Sequence, residues 1–321
     1  FILANTRDIF NPDQVERKLR KAQGMAQGAE GESLRNMYQA MLERGPGRVQ
    51  VKLSGIGEVS HLYDNHPNFR EVTDEIKRSV ALSASNSSNV EITPILLLGE
   101  PGIGKTYFAK KLADLLSTGM NLVPMSSMTA GWLLSGSSSQ WKGAKPGKVF
   151  EALIDGDYAN PVILVDEIDK ASGDVQYDPL GALYSLLEHD TAKSFTDEFA
   201  DVAVDASQVI WIATANDEKA IPEPILNRMN VFSVPKPNFL EARQIARNLY
   251  QTIRDDHSWG TNFMKEPSHD LLDCLVKIVP REMRRAIMTG FGNAALAKKD
   301  NITPEDLPPA KKEKGSIGFL N

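Results

Sequence analysis

The sequence predicts an α/β fold, a parallel β-sheet with helices on both faces, followed by a small all-helical domain. Between about residues 91 and 235, short runs of Val, Ile and Leu bounded by turn residues alternate with helix-patterned segments. Strands buried on both faces read as such near-continuous apolar runs, and parallel strands need helical crossovers. After residue 236 the strand signal stops and only helical patterning continues. The composition allows this plan: 41% hydrophobic and 24% charged residues over 321 positions suit a globular chain with about two domains and a sizeable core.

In order along the chain, residues 1–64 read as a mostly helical N-terminal region. "VERKLRKAQGMA" and "ESLRNMYQAMLERG" have helical composition, the Gly-rich "QGAEGE" separates them, and "GRVQVKL" alternates as a short strand. The large α/β region spans 65–235. It opens with an amphipathic helix, "PNFREVTDEIKRSVALSAS" at 67–85, and the polar linker "NSSN" at 86–89. Its strands are "ITPILLLG", "NLVPM", "PVILVDE", "QVIWIATAN" and "NVFSVP", with "YFAKKLADLL" and "LGALYSLLEH" as crossover helices. The helical domain, 236–310, contains "FLEARQIARNLYQTIRDD", "HDLLDCLVKIV" and "REMRRAIMTGFGNAALAKK". The tail "KKEKGSIGFLN" at 311–321 reads as a mobile end, and no internal repeat is seen.

Composition also narrows function. With 36 basic against 42 acidic residues the net charge is −6, which disfavours a broad nucleic-acid surface and leaves open a local basic channel. The single Cys274, in the apolar helical context "LLDCLVKIV", forms no internal disulfide and reads as a core thiol. No Cys/His cluster has metal-ligand spacing. The longest apolar runs, "ILLL" at 95–98 and "VILV" at 162–165, fall far short of the roughly 18 residues of a membrane helix. With no secretory signal, a cytoplasmic protein without a membrane partner is the plain expectation. The first residue is Phe1 rather than Met, which leaves room for residues upstream.

"GEPGIGKT" fits G-x-x-x-x-G-K-[ST] in full at Gly99, Gly104, Lys105 and Thr106. It follows a predicted strand and opens a predicted helix, the context of a phosphate-binding loop. A chance match arises about once in a hundred chains of this size. Glycines let backbone N–H groups turn toward phosphates, and a helix N-terminus adds partial positive charge. Pro101, Gly102 and Ile103 lie inside the loop and Tyr107 just beyond it, so this run is assigned to ATP. Lys105 would reach the β/γ-phosphates and Thr106 would ligate Mg²⁺. The fold class is then that of a P-loop NTPase.

"PVILVDEIDK" ends an apolar strand in Asp166 and Glu167. Strand carboxyl ends line the ligand crevice of open α/β sheets. Asp166 fits as the second Mg²⁺ ligand and Glu167 as the base that polarises the attacking water; the alternative is two acids marking a turn into solvent. "QVIWIATAND" presents Asn216 at a third strand end, either toward the γ-phosphate or lytic water or as a turn cap.

The order "GEPGIGKT", "ILVDEIDK", "IWIATAND", "IPEPILNRMNVF", then a helical domain with "VPREMRRAI", resembles an AAA+ ATPase. Within that superfamily it is most similar to the ATPase module of Lon-type proteases, over about 65–305. The densest parts are "PGKVFEAL", "LVDEIDKASGD", "DPLGALYSLLEHD" and "IPEPILNRM". The resemblance implies a homo-oligomer, a hexameric ring acting on polypeptide, with 236–310 as its lid. It implies that Arg228 is an arginine finger reaching the γ-phosphate held by a neighbouring subunit. It implies that Arg281 is the lid's sensor arginine, with Arg284 and Arg285 one turn away; for each arginine a plain surface role is the default. It places the adenine pocket at "LYDNHPNF", where His66 and Phe69 either meet the base or, for Phe69, pack in the core.

The resemblance also puts "QWKGAKPGK" in a pore loop with Trp141 at the aromatic position. Lys142 departs from the usual aliphatic residue there and favours acidic or polar substrates; Tyr177 is a second pore contact. Two other readings of Trp141 stand beside this one. It packs against the chain or a neighbour, or with Lys142, Lys145 and Lys148 it forms a platform for single-stranded nucleic acid. Three functions follow: a polypeptide-threading motor, a nucleic-acid motor or loader, and an ATP-gated scaffold. A GTPase is disfavoured because no N-K-x-D motif is present. The chain ends at Asn321, soon after the helical domain, so no peptidase activity is expected of it.

Overall fold

The computed structural model describes residues 3–24, 29–52, 59–86, 91–127, 132–138, 143–171 and 178–309. The chain divides into two compact units. The first comprises Phe1–Tyr63, Phe69–Pro101 and Lys105–Pro235; the second comprises Asp64–Asn68, Gly102–Gly104 and Lys236–Asn321.

The first unit opens with β1 (Leu3–Asp8), α1 (Pro12–Gln23), α2 (Ala29–Arg44) and β2 (Gly47–Lys52). α1 starts where the Asn11 side chain accepts the Asp13 N–H and Pro12 takes the first turn, a position that needs no donor. β1, "LANTRD", has no apolar alternation and is not anticipated by the pattern; it is a strand because it pairs antiparallel with β2, Leu3 opposite Lys52 through Asp8 opposite Gly47. Val15, Tyr38 and Met41 share one core with Leu96, Val123 and Phe150, so this N-terminal stretch is built into the first unit. Tyr38 Oη donates to Ala200 O at 2.7 Å and Arg7 pairs with Asp205 at 2.8 Å.

There follow α3 (Ser60–Asn65), a 3₁₀ turn over Pro67–Phe69, α4 (Arg70–Asn86), β3 (Ile95–Leu98), α5 (Lys105–Leu116) and β4 (Met120–Pro124). Next come α6 (Trp132–Ser135), α7 (Lys148–Ile154) and β5 (Val162–Asp166). The chain continues through α8 (Leu183–Leu186), α9 (His189–Ala192), β6 (Phe195–Thr196), β7 (Ala203–Val204), β8 (Ile210–Ala215), α10 (Glu223–Leu226) and β9 (Asn230–Ser233). The sheet is ordered β4-β5-β8-β3-β9 and parallel throughout. Val162–Val165 and Ile210–Ala215 are buried without a break, so both faces of the central strands are covered. α5 packs on β5 and β8, and α7 on β4. The expected crossover helix "LGALYSLLEH" is instead two single turns, α8 and α9, because the chain extends at Glu188 (φ −106°, ψ 125°); β6 and β7, a short antiparallel hairpin, follow.

The second unit carries α11 (Phe239–Asp255), α12 (His269–Leu275) and α13 (Pro280–Leu296). Asn238 and Glu241 close a reciprocal capping box on α11, Ser268 caps α12, and Pro280 opens α13. Tyr250, Leu271, Ile287 and Phe291 are buried in its core. Phe291 stacks on Tyr250 at 4.9 Å and meets Phe263 edge-on at 4.9 Å. Cys274 is half-buried on α12. The tail 311–321 lies outside the described residues. No helix among those residues is long and apolar enough to cross a membrane.

Candidate active site

β3 runs into the loop 99–104 and out into α5. Gly99 N donates to Ala215 O at 3.2 Å, which holds the start of the loop against the end of β8. Gly102 (φ +84°) and Gly104 (φ +105°) occupy backbone conformations that a side chain would strain. Ile103 between them is buried, while Pro101 is exposed. Lys105 is buried at the first position of α5, and its ammonium is fully engaged. Nζ donates to Gly99 O at 2.6 Å, Glu100 O at 2.9 Å and Asn216 Oδ1 at 2.9 Å. Burial pushes the Lys105 ammonium below its ordinary pKa; the carboxylates of Asp169, Asp166 and Glu167 act against that.

The neighbouring strand ends complete the cluster. β5 and β8 are parallel with Val165 opposite Ala213, which sets Asp166 beside Thr214. Asp166 Oδ1 accepts two hydroxyl protons, from Thr106 at 2.8 Å and Thr214 at 2.7 Å. Thr214 Oγ1 in turn accepts the Glu167 N–H at 2.9 Å. Glu167 is in the left-handed region (φ 56°, ψ 50°), which costs a non-glycine residue roughly 1–3 kcal/mol and is held there by that bond. Glu167 is half-buried directly after the last residue of β5, at the sheet's carboxyl edge. Thr106 and Asp166 supply hard oxygen donors at one point, a set that suits Mg²⁺, which takes one or two carboxylates together with substrate phosphates.

Sequence reasoning overlooked two members of this cluster. Thr214 is buried and bonds the Asp166 carboxylate and the Glu167 backbone N–H; its signal is a lone hydroxyl inside the apolar run "VIWIATA". Asp169, two residues past the acid pair, has a fully buried side chain (0% exposed) whose Oδ2 accepts the Asp217 N–H at 3.3 Å. Nothing in "DEIDK" distinguishes an inward acid from a solvated one.

The remaining assignments fall in several places. Arg228 is folded back on its own chain: Nη1 donates to Pro224 O at 2.6 Å, Nη2 pairs with Glu188 at 2.7 Å, and the guanidinium lies 5.9 Å from the Tyr184 ring. Its side chain is 27% exposed. Arg281 is exposed in the first turn of α13, and its N–H donates to Gly102 O at 3.3 Å within the second unit. Arg284 and Arg285 are exposed on the same helix, Arg285 at 3.7 Å from Glu282. His66 is buried in the second unit. Phe69 is core, stacked on Phe108 at 4.4 Å with rings 6° from parallel. Tyr107 is exposed on α5, with Lys111 Nζ 5.6 Å from its ring. Lys148 pairs with Glu151 at 2.6 Å. Trp141, Lys142 and Tyr177 lie outside the described residues.

Comparison with known proteins bears on this geometry. Residues 95–235 match the ATPase family associated with various cellular activities (AAA). The chain is 28% identical over 288 residues to a Helicobacter pylori Lon protease, covering 84% of this chain and 34% of that protein. It is 34% identical over 196 residues to the peroxisomal Lon protease homolog 2 of Arabidopsis thaliana, covering 60% of this chain and 22% of that one. The chain therefore spans about a third or less of these relatives' length. Among solved structures, a closed-state reconstruction of Hsp104 with ATPγS and casein aligns at TM-score 0.60 and 20% identity over 76% of this chain and 48% of that one. A Thermotoga maritima RuvB mutant aligns at TM-score 0.50 and 15% identity over 74% and 67% of the two chains. At these identities the two structures speak to the fold alone.

Proposed function

We propose, proceeding from the AAA-family domain that residues 95–235 form and its similarity to Lon proteases, that the chain hydrolyses ATP as a subunit of a homo-oligomeric ring and uses that energy to thread or remodel polypeptide. In this reading the ring is hexameric and cytoplasmic, residues 65–235 carry the chemistry and 236–310 act as the lid. The observation that carries the reading is the bonded cluster at three adjacent strand ends: Lys105 on Asn216, and Thr106 and Thr214 both on Asp166.

Each residue then has a task. The loop 99–104 presents backbone N–H groups to the phosphates, and Lys105 exchanges one of its three internal acceptors for a phosphate oxygen. Thr106 and Asp166 would hold Mg²⁺, which when bound supplies positive charge beside the phosphates. Glu167 accepts a proton from the attacking water, and Asn216 orients that water through its amide. Arg228 serves the site of a neighbouring subunit, and to do so it must leave Glu188. A partly exposed ion pair is worth only about 0–1 kcal/mol, whereas an arginine finger contributes roughly 10³–10⁵ in rate. Arg281 and His66 are assigned to the nucleotide, and Trp141, Lys142 and Tyr177 to the translocated chain, by resemblance alone.

The test is the initial rate of ATP hydrolysis by the purified chain, alone, with an unfolded protein, and with single-stranded DNA. Unfolded protein should raise the rate and DNA should not, and Arg228→Ala should lower it about 10³-fold. Stimulation by DNA alone, with a steep salt dependence, would replace polypeptide by nucleic acid as the substrate. Undiminished turnover in Arg228→Ala would mean that each subunit works by itself.

A further inference from the structure

The buried acid that follows the catalytic pair is unaccounted for by any of the tasks above. Asp169 sits in the 3₁₀ turn Ile168–Lys170, directly after the left-handed Glu167, and its side chain is 0% exposed. A buried carboxylate is expensive unless bonded, yet its bonds are few. Oδ2 accepts the Asp217 N–H at 3.3 Å and lies 3.4 Å from Lys170 Nζ, while Oδ1 is buried with no hydrogen-bond partner. A chain seeking stability alone would place an apolar residue here. What Asp169 does reach is specific. Asp217 follows Asn216, whose Oδ1 takes the Lys105 ammonium, and Asp217 Oδ1 in turn accepts the Lys219 N–H at 3.0 Å to start the next turn. The turn after β5 and the turn after β8 are thus joined side chain to backbone, 48 residues apart in the chain.

We propose that Asp169 is a positioning residue: by holding the Asp217 N–H it fixes the Asn216 amide relative to Lys105 and the Asp166–Glu167 pair. The inference deepens the ATPase reading and in its kinetic part rests on it. The proposed role belongs to the accepting oxygen: the 3.4 Å approach to Lys170 Nζ joins Asp169 only to its neighbour in the chain, whereas the bond that ties the two turns together is to a neutral backbone N–H. An amide carbonyl in the same place can make that contact, and a methyl group cannot.

Two variants of the full chain, Asp169→Ala and Asp169→Asn, give the test, with two independent readouts. The first is amide hydrogen exchange without nucleotide. The Asp217 N–H should lose protection in Asp169→Ala and keep it in Asp169→Asn, with β3 and β8 unchanged in both. The second is steady-state ATP hydrolysis. Asp169→Ala should lower kcat about 10- to 100-fold, the scale of a misplaced catalytic group, with KM for ATP moving less. Asp169→Asn should recover most of the lost rate. Wild-type exchange at Asp217 in the Ala variant overturns the proposal, as does equal loss of kcat in the two variants. If the wild-type chain hydrolyses no ATP, the exchange readout still decides the tether, while the ATPase reading itself fails.

Discussion

The two units place polar groups in their interiors in different ways. In the first, charge and hydroxyl are buried at the carboxyl edge of the sheet: Lys105, Asp169 and Thr214 are all buried, and Glu167 stands in a strained backbone conformation between them. Farther along the same unit Asp197 is fully buried, its oxygens taking the N–H groups of Gly147, Phe199 and Ala200 at 2.7, 3.0 and 2.9 Å. In the second unit the core is largely aromatic and aliphatic, built on Tyr250, Phe263, Ile287 and Phe291. Its buried polar tips bond locally: Tyr250 Oη donates to Met264 O at 2.8 Å, and burial pushes that phenol to about 12. The second unit also buries Asp306, which takes the Thr303 N–H at 2.8 Å and pairs with Lys299 at 3.1 Å, so the contrast lies in arrangement: the first unit gathers buried polar groups at adjacent strand ends, and the second places them around an aromatic core. On the proposed reading, fixed dipoles and charges at that edge would stabilise developing charge without reorganising, a task with no counterpart in a packed aromatic core.

The sharpest way to break the comparison is at Glu167. Glu167→Gln should lower ATP turnover by about 10²–10⁴, the range of a lost general base, while leaving nucleotide binding and the stability of both units near wild type. Full turnover in that variant would remove the chemical role of the strained acid. Next in size, Phe291→Ala should cost the second unit about 3–5 kcal/mol, seen as faster amide exchange in α11–α13. Amides of β5 and β8 should keep their protection, and equal loss there would show that the two interiors are not energetically separate.

The smallest effect sharpens the picture of the polar interior. Burial raises the Asp197 carboxyl to about 6, outweighing its three backbone N–H donors. The folded state then holds that proton more tightly than the unfolded state, whose carboxyl has the ordinary value near 3.9. The stability this gives is present below about pH 4 and is lost as pH rises through about 6. Urea unfolding at pH 4 to 7 should show the advantage of wild type over Asp197→Asn shrinking with rising pH, by no more than about 3 kcal/mol. An advantage that grows instead would mean that the three N–H groups win over burial.

Much of the fold and part of the site were legible in the residues. The runs "ILLL", "VILV" and "IWIATA" are strands because Val, Ile, Leu and Trp at successive positions can only be buried on both faces at once. The loop "GEPGIGKT" follows one of them and opens α5 as expected, and its two positive-φ residues are glycines. Less legible were β1, whose polar side chains hide a strand made by pairing alone, and the break of "LGALYSLLEH" into two turns at Glu188.

By itself the sequence determined the order of the strands along the chain and the residue types available at their ends, since both follow from local pattern. Only the tertiary structure decided which of those ends meet. It sets Thr214 against Asp166 through the β5–β8 register, turns Asp169 inward to Asp217, and folds Arg228 onto Glu188. These pairs lie 40 or more residues apart. A hydrogen bond of 3 Å is selected by strand register and by which face of a turn is buried, and neither is written in the spacing of residues along the chain.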